Sequence, residues 1–182
     1  MNNFYEYLHN SNTAIISKTE RLTIRKFTLN DLDELFSIMK KENVMYAWEH
    51  AFTKEEVITW INKQINRYQQ DGYGYFAVTL NNKANKLIGQ VGILKNEIEG
   101  TEVTEIGYIF DDTYWKQGYA TEAAKACIDF SVQEYNIKKL YCTIRPGNTS
   151  SLKLAERLSM TKTGEFIKLY KEKEMLHFIY EL

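Results

Sequence analysis

Along the first third of the chain the apolar positions change period. Arg21-Leu22-Thr23-Ile24-Arg25-Lys26-Phe27 alternates polar and apolar side chains, the pattern of a half-buried strand. After Asn30 the period lengthens, and Leu32, Leu35, Phe36 and Met39 form one helical stripe. Asn30 is the predicted cap, with Asp31, Asp33 and Glu34 favourably placed in the first turn. A second helix is predicted from Thr53, where Thr53 and Glu56 fit a reciprocal capping box. It buries Val57, Ile61, Ile65 and Tyr68, and Gly72 ends it.

Strand patterns follow. Residues 75–80 and 86–94 flank the polar run 81–85, which predicts a hairpin, and 105–110 reads as a further strand. Between 120 and 135, apolar or small residues recur at 120, 123, 124, 127, 128 and 131, a helical spacing. A short strand at 140–144 leads into Arg145-Pro146-Gly147-Asn148, a loop with the chain's one proline. A short helix at about 150–158 and a last hairpin, 166–170 with 176–180 across 171–174, complete the pattern. There is no repeat, low-complexity tract or linker. The prediction is one mixed α/β domain over 1–182, with 1–14 a loose extension.

Composition adds mainly exclusions. A chain of 182 residues can bury a core without disulfides or metal. Its net charge of -1 gives no case for nucleic acid. No apolar run approaches the length of a membrane span, and residues 1–12 lack the basic start and apolar core of a signal peptide. A cytoplasmic location is the expectation. Cys127 and Cys142 have no CxxC spacing and read as small buried apolar residues. His9, His50 and His177 are scattered, so no metal site is predicted. A homodimer is compatible with the sequence.

The strand–helix–strand run 105–144 holds the point of chemical interest. Such a unit gives two neighbouring parallel strands joined by a crossover. The turn before its helix, Trp115-Lys116-Gln117-Gly118-Tyr119-Ala120, exposes backbone N–H groups at the positive end of the helix dipole. Residues with little side chain, Gly118 and Ala120, let a phosphate approach those donors. The same glycine is equally at home in a tight turn that holds nothing. There is neither a Walker loop, GxxxxGK followed by Ser or Thr, nor a GxGxxG.

Residues 115–124, WKQGYATEAA, resemble the acyl-CoA pyrophosphate loop of GNAT-superfamily N-acetyltransferases, whose pattern is Q/R-x-x-G-x-G/A. Four further segments are similar to that family in the same order: TERLTIR at 19–25, LIGQVG at 87–92, EIGY at 105–108 and NTSS at 148–151. The resemblance is closest to the branch of ribosomal-protein N-terminal acetyltransferases acting on alanine or serine. It implies a mostly antiparallel twisted sheet of six to seven strands with about four helices, the fourth and fifth strands parallel and splayed. It also implies acetyl-CoA as cosubstrate and direct transfer to an amine, most simply a protein N-terminus. A polyamine, amino acid or aminoglycoside acceptor, or a CoA-binding module without catalysis, are the alternatives. At the first motif position stands Trp115 instead of Gln or Arg.

By that resemblance Lys116, Gln117, Gly118, Tyr119, Ala120 and Thr121 hold the pyrophosphate, and backbone N–H groups near Ile109 and Phe110 meet the thioester carbonyl. Asn148 contacts the pantetheine arm besides capping the next helix, and Ser151 lies toward the thioester as an acid. The family's frequent tyrosine acid falls at Ala155 here. Glu105 is the first choice for a general base, with a structural partnership to a nearby cation as the other reading. Trp48, Glu49 and His50 are placed at the acceptor, although Trp48 fits a core equally well. Residues 137–173 carry nine Lys or Arg against three Glu, a fair setting for CoA phosphates. Residues 30–60 carry seven Asp or Glu against three Lys, a fair setting for a cationic amine.

Overall fold

The computed structural model describes residues 14–82, 84–170 and 172–182. Among them, eight strands form one sheet: β1 (Ile15–Lys18), β2 (Leu22–Arg25), β3 (Tyr75–Leu80), β4 (Leu87–Ile98), β5 (Thr101–Phe110), β6 (Tyr141–Ile144), β7 (Thr161–Tyr170) and β8 (Lys173–Glu181). Their order is β1-β2-β3-β4-β5-β6-β8-β7. Five helices accompany them among the described residues: α1 (Leu32–Met39), α2 (Glu42–Met45), α3 (Lys54–Gln70), α4 (Tyr119–Tyr135) and α5 (Thr149–Arg157). None is long and apolar enough to cross a membrane.

Every neighbouring strand pair is antiparallel except β5 and β6, which run parallel with the single register pair Glu105 opposite Tyr141. The predicted splay between them is therefore present. Successive side chains of a strand point to opposite faces, and β5 shows it. Ile106 and Phe110 join the core beneath α4 and α5, with Ala123, Ala124, Cys127 and Leu154. Ile109 joins the core beneath α1 and α3, with Leu35, Met39, Val57 and Ile61. Each large apolar side chain so buried contributes about 1.5–3 kcal/mol.

The alternating and helical patterns survive, with local corrections. The sheet has one strand more than the expected six to seven, because β1 forms ahead of Thr19 and pairs with β2. The predicted loose extension falls largely on 1–13, outside the described residues, as does His9. The cap of the first helical segment is Thr28, not Asn30. Thr28 N–H donates to Asp31 Oδ2 at 2.8 Å, and Arg25 pairs with the same carboxylate at 2.5 Å. The Thr53–Glu56 capping box is as expected, at 3.2 and 2.8 Å. Strands 86–94 and 105–110 prove to be parts of one long hairpin that turns at Glu99-Gly100. Its tip residues Ile98 and Val103 pack on Phe166 of the last hairpin, which is likewise longer than predicted.

Candidate active site

Gly118 stands at the N-cap of α4 with φ +84°, a conformation glycine adopts without strain. The first helical bond runs from Glu122 N–H to Gly118 O at 3.0 Å. The N–H groups of Tyr119, Ala120 and Thr121 precede it and have no partner within the helix. A side-chain carbon at Gly118 would meet only Arg21, at 3.4 Å, so the space over these donors is open. Lys116 (φ +61°) and Gln117 are exposed on the turn. Gln117 Nε2 donates to Thr113 O at 3.0 Å, which shapes the turn from within.

Arg21, which the sequence reading did not single out, fastens this turn. Its Nη1 donates to Gln117 O at 3.0 Å, its Nε donates to Glu122 Oε2 at 2.6 Å, and its guanidinium lies 4.4 Å from the centre of the Tyr119 ring. Burial opposes the charge on Glu122, but hydrogen bonds from Thr19 and Arg21 outweigh it and hold the carboxyl below its ordinary value. The signal was available in TERLTIR at 19–25, whose Arg21 is one of two arginines in that strand pattern. What it reaches is set by the fold.

Trp115 turns back onto β5 and donates its indole N–H to Phe110 O at 2.8 Å. The departure from the family pattern thus closes the end of that strand. Asp111 N–H donates to Ile88 O at 3.0 Å, and donors alternate edges along an antiparallel strand. The N–H groups of Tyr108 and Phe110 therefore face the splayed β6 edge, beyond the single β5–β6 register pair. That of Ile109 faces β4, opposite Gln90. Of the two expected donors, Phe110 is presented to the gap and Ile109 is not.

A cleft of about 370 Å³ opens where β5 and β6 part, lined by Trp48, Trp60, Tyr75, Glu105, Asn148, Ser151 and His177, among others. Its depth depends on two features. Gly107 has no side chain, and a Cβ there would overlap the Tyr75 hydroxyl. Gln90, buried in β4, accepts from Trp60 Nε1 at 2.9 Å and fixes that ring against Tyr75, 5.3 Å away between centres. Burial, then the nearby Glu105 and Cys142, push the Tyr75 phenol well above its ordinary range.

Glu105 sits where β5 and β6 part. Its Oε1 accepts from Thr143 N–H at 2.8 Å and from the Thr143 hydroxyl, and its Oε2 accepts from Asn96. The carboxylate replaces ladder bonds that the diverging β6 backbone cannot make, and no cation pairs with it among the described residues. A carboxylate has about four acceptor sites, so one site on Oε2 remains for a proton from a ligand.

Ser151 and Asn148 are adjacent, since Ser151 N–H donates to Asn148 Oδ1 at 3.0 Å. The capping role of Asn148 is present, and its Nδ2 makes no hydrogen bond among the described residues. Tyr108 donates to Ser151 O at 3.4 Å, and Ala155 is buried in the core. Burial raises the Tyr108 phenol well above its ordinary value. His177 lies 3.0 Å from Met175 O through Nδ1. Burial first, then Lys168 and Arg145, lower its pKa, so the ring is neutral near pH 7. Cys142 borders the cleft but is buried, and burial pushes its thiol far up. Burial takes Cys127 to about 12.

The acceptor residues expected from sequence divide. Trp48 lines the cleft and also packs edge-on against Trp60, with ring centres 6.4 Å apart. Glu49 pairs with Arg145 and, at 3.1 Å, with Lys173, which ties the segment before α3 to the last hairpin. His50 lies outside the cleft lining and meets Trp48 O at 3.0 Å and Glu56 at 2.9 Å. The acidic run 30–60 does not form a negative cleft, because Asp31, Asp33 and Glu34 pair with Arg25, Lys54 and Lys86 elsewhere. Of the basic run 137–173, four members are engaged elsewhere than at the Gly118 turn. Arg145 and Lys168 face the cleft, and Lys162 and Lys173 pair with Glu165 and Glu49.

Residues 21–161 match the acetyltransferase (GNAT) domain family. The chain is 32% identical over 151 residues to the uncharacterized N-acetyltransferase YnaD of Bacillus subtilis, covering 82% of this chain and 85% of that protein. The crystal structure of an acetyltransferase (GNAT family) from Bacillus anthracis matches with a TM-score of 0.78 and 29% identity, over 91% of this chain and 96% of that one. The ribosomal-protein-S5-alanine acetyltransferase from Vibrio fischeri shares the fold at a TM-score of 0.74 and 21% identity, over 91% and 94% of the two chains. With the glycine turn before α4, the parted β5 and β6 and a family match running through both, this chain belongs to the GNAT acetyltransferases.

Proposed function

We propose that this enzyme transfers an acetyl group from acetyl-CoA directly to a primary amine, and that the amine is the N-terminal residue of a protein. The observation that carries the transfer is the gap between β5 and β6. It turns the Phe110 N–H toward an edge where β6 makes no register pair among the described residues, and Glu105 stands at the point of divergence, lining the cleft.

When bound, acetyl-CoA supplies the acetyl thioester. The free N–H groups of Tyr119, Ala120 and Thr121, with Gly118 and Ala120 offering no bulk, hold the pyrophosphate. Lys116, Gln117 and Arg21 border it. The N–H of Phe110 polarises the carbonyl oxygen of the bound acetyl group, a fixed donor aimed where negative charge develops. Asn148 Nδ2 is available to the pantetheine arm. Glu105 takes the proton from the amine, directly or through water. The Ser151 hydroxyl relays a proton from water to the departing sulfur and so regains its own, Glu105 gives the amine's proton to solvent, and the neighbouring Tyr108 keeps its proton and orders this wall.

The protein acceptor rests on the branch resemblance of the ordered segments from 19 to 151 and on the fold shared with the Vibrio fischeri enzyme. A small-molecule amine is the second reading, favoured by the Glu49 ion pairs that join two sides of a cleft of about 370 Å³. Thiol release from acetyl-CoA, with peptides starting in Ala, Ser or Thr set against free amino acids, spermidine and an aminoglycoside, separates the two. Release with peptides alone supports the protein acceptor, and release with small amines alone overturns it.

A further inference from the structure

The charges of the acceptor cleft are opposite to those expected from the acidic run 30–60. Its walls carry five cationic side chains and one carboxylate, Glu105, which is already held by Thr143 and Asn96. Two of the cations are compensated: Lys95 by Asp71 at 2.9 Å, and Arg145 by Glu49. Lys63, Arg67 and Lys168 have no acidic partner within ion-pair distance among the described residues.

Lys63 and Arg67 stand one turn apart on α3, a like-charged spacing that disfavours the helix unless something offsets it. Lys168 approaches from β7, near the neutral His177. Burial, then Arg67, lower the pKa of Lys63, the behaviour of a cation without a counter-ion. Lys63 and Arg67 stand on α3, whose Val57 and Ile61 pack in the core across the sheet from that of α4, and Lys168 lines the same cleft from β7.

We propose that the acceptor is a primary amine carrying an anionic group, a carboxylate or a phosphate, and that Lys63, Arg67 and Lys168 hold that group while the amine faces Glu105. This rests on the acetyltransferase reading above. A polycation would set its further charges against three uncompensated cations, whereas an anion relieves their mutual repulsion and is drawn into the cleft. For a protein acceptor, the acidic residues just after the N-terminal one supply the anion. For a small acceptor, it is the carboxylate of an amino acid or the phosphate of an aminoalkyl phosphate.

The test compares kcat/KM at saturating acetyl-CoA for Ala-Glu-Asp peptides, Ala-Lys-Lys peptides, glutamate, phosphoethanolamine, spermidine and an aminoglycoside. Acetyl-CoA binding is measured separately by calorimetry without acceptor. The expected result is at least tenfold preference for an anionic acceptor over its cationic counterpart. The double variant Lys63→Glu/Arg67→Glu should raise the anionic acceptor's KM about tenfold or more, with kcat and acetyl-CoA affinity nearly unchanged. Lys168→Glu, on a different element, carries the same prediction if the double variant does not fold.

Best turnover of spermidine, the aminoglycoside or the Ala-Lys-Lys peptides would overturn the proposal. So would an unchanged KM in both variants, or no turnover of any anionic acceptor by protein that binds acetyl-CoA. Absence of acetyl-CoA binding would instead remove the underlying reading, and this one with it. Peptide against phosphoethanolamine and glutamate decides which source supplies the anion.

Discussion

The turn at Gly118 and the cleft around Glu105 flank the same gap in the sheet, yet they are built in opposite ways. The turn is one short run of chain whose useful groups are backbone N–H donors and whose side chains matter by being small. The cleft is assembled from α3, β4, β5, β6, α5 and the last hairpin, and its useful groups are side chains. A backbone site depends on local φ and ψ and tolerates changes that leave them alone. A side-chain site depends on the packing that brings distant residues together, so its chemistry can vary while the fold stays constant.

Substitutions can separate the two regions. The largest effect is expected from Glu105→Gln. Its Oε1 can still accept from Thr143, so the β5–β6 junction should persist while proton removal is lost. A fall in kcat of about 100-fold or more, with acetyl-CoA affinity retained, is the expected outcome. An unchanged pH–rate profile would leave Glu105 as a purely structural bridge. Gly118→Trp acts on the other region. It introduces bulk and a strained φ where the phosphate approaches, and acetyl-CoA binding by calorimetry should weaken ~100-fold or more while the cleft is untouched. Retained affinity would separate the turn from the cofactor.

Smaller effects concern the supports. Arg21→Ala should weaken acetyl-CoA binding by about tenfold or less, because it frees the turn without removing a donor. The pH dependence follows from its partner. Glu122 has a folded-state pKa below the ordinary 4.5, so its contribution to stability is present above pH 4.5 and is lost as pH falls through the depressed value. Thermal melts below pH 4.5 should therefore fall more steeply in the native protein than in Glu122→Gln. Smallest is Trp115→Phe. It removes one hydrogen bond to Phe110 O, costs about 1 kcal/mol of stability, and should change acetyl-CoA affinity only a few-fold.

The two regions were also unequally legible beforehand. The place of Gly118 and Ala120 at the start of α4 could be read from sequence because the required property, little or no side chain before a helical pattern, is local. The alternation of β5 likewise placed Glu105 opposite Ile106, and the two cores agree. Glu49 and His50 could not be read in the same way. Their residue types fit an acceptor site, but an ion pair across to the last hairpin and a contact with Glu56 occupy them. The sequence pattern does not separate Ile109 from Phe110, and only strand-edge geometry distinguishes them.

The sequence by itself determined the local periods, the capping box at Thr53, the glycine turn and the order of segments that marks the family. Those depend on neighbours within a few positions, where backbone sterics and side-chain spacing decide. The tertiary structure alone decided which charges face the cleft. Asp31, Asp33 and Glu34 of the acidic run are paired elsewhere, while Lys63, Arg67 and Lys168, from opposite halves of the chain, line one cleft with no acidic partner among the described residues. Electrostatics depends on distance in space, and distance along the chain does not supply it.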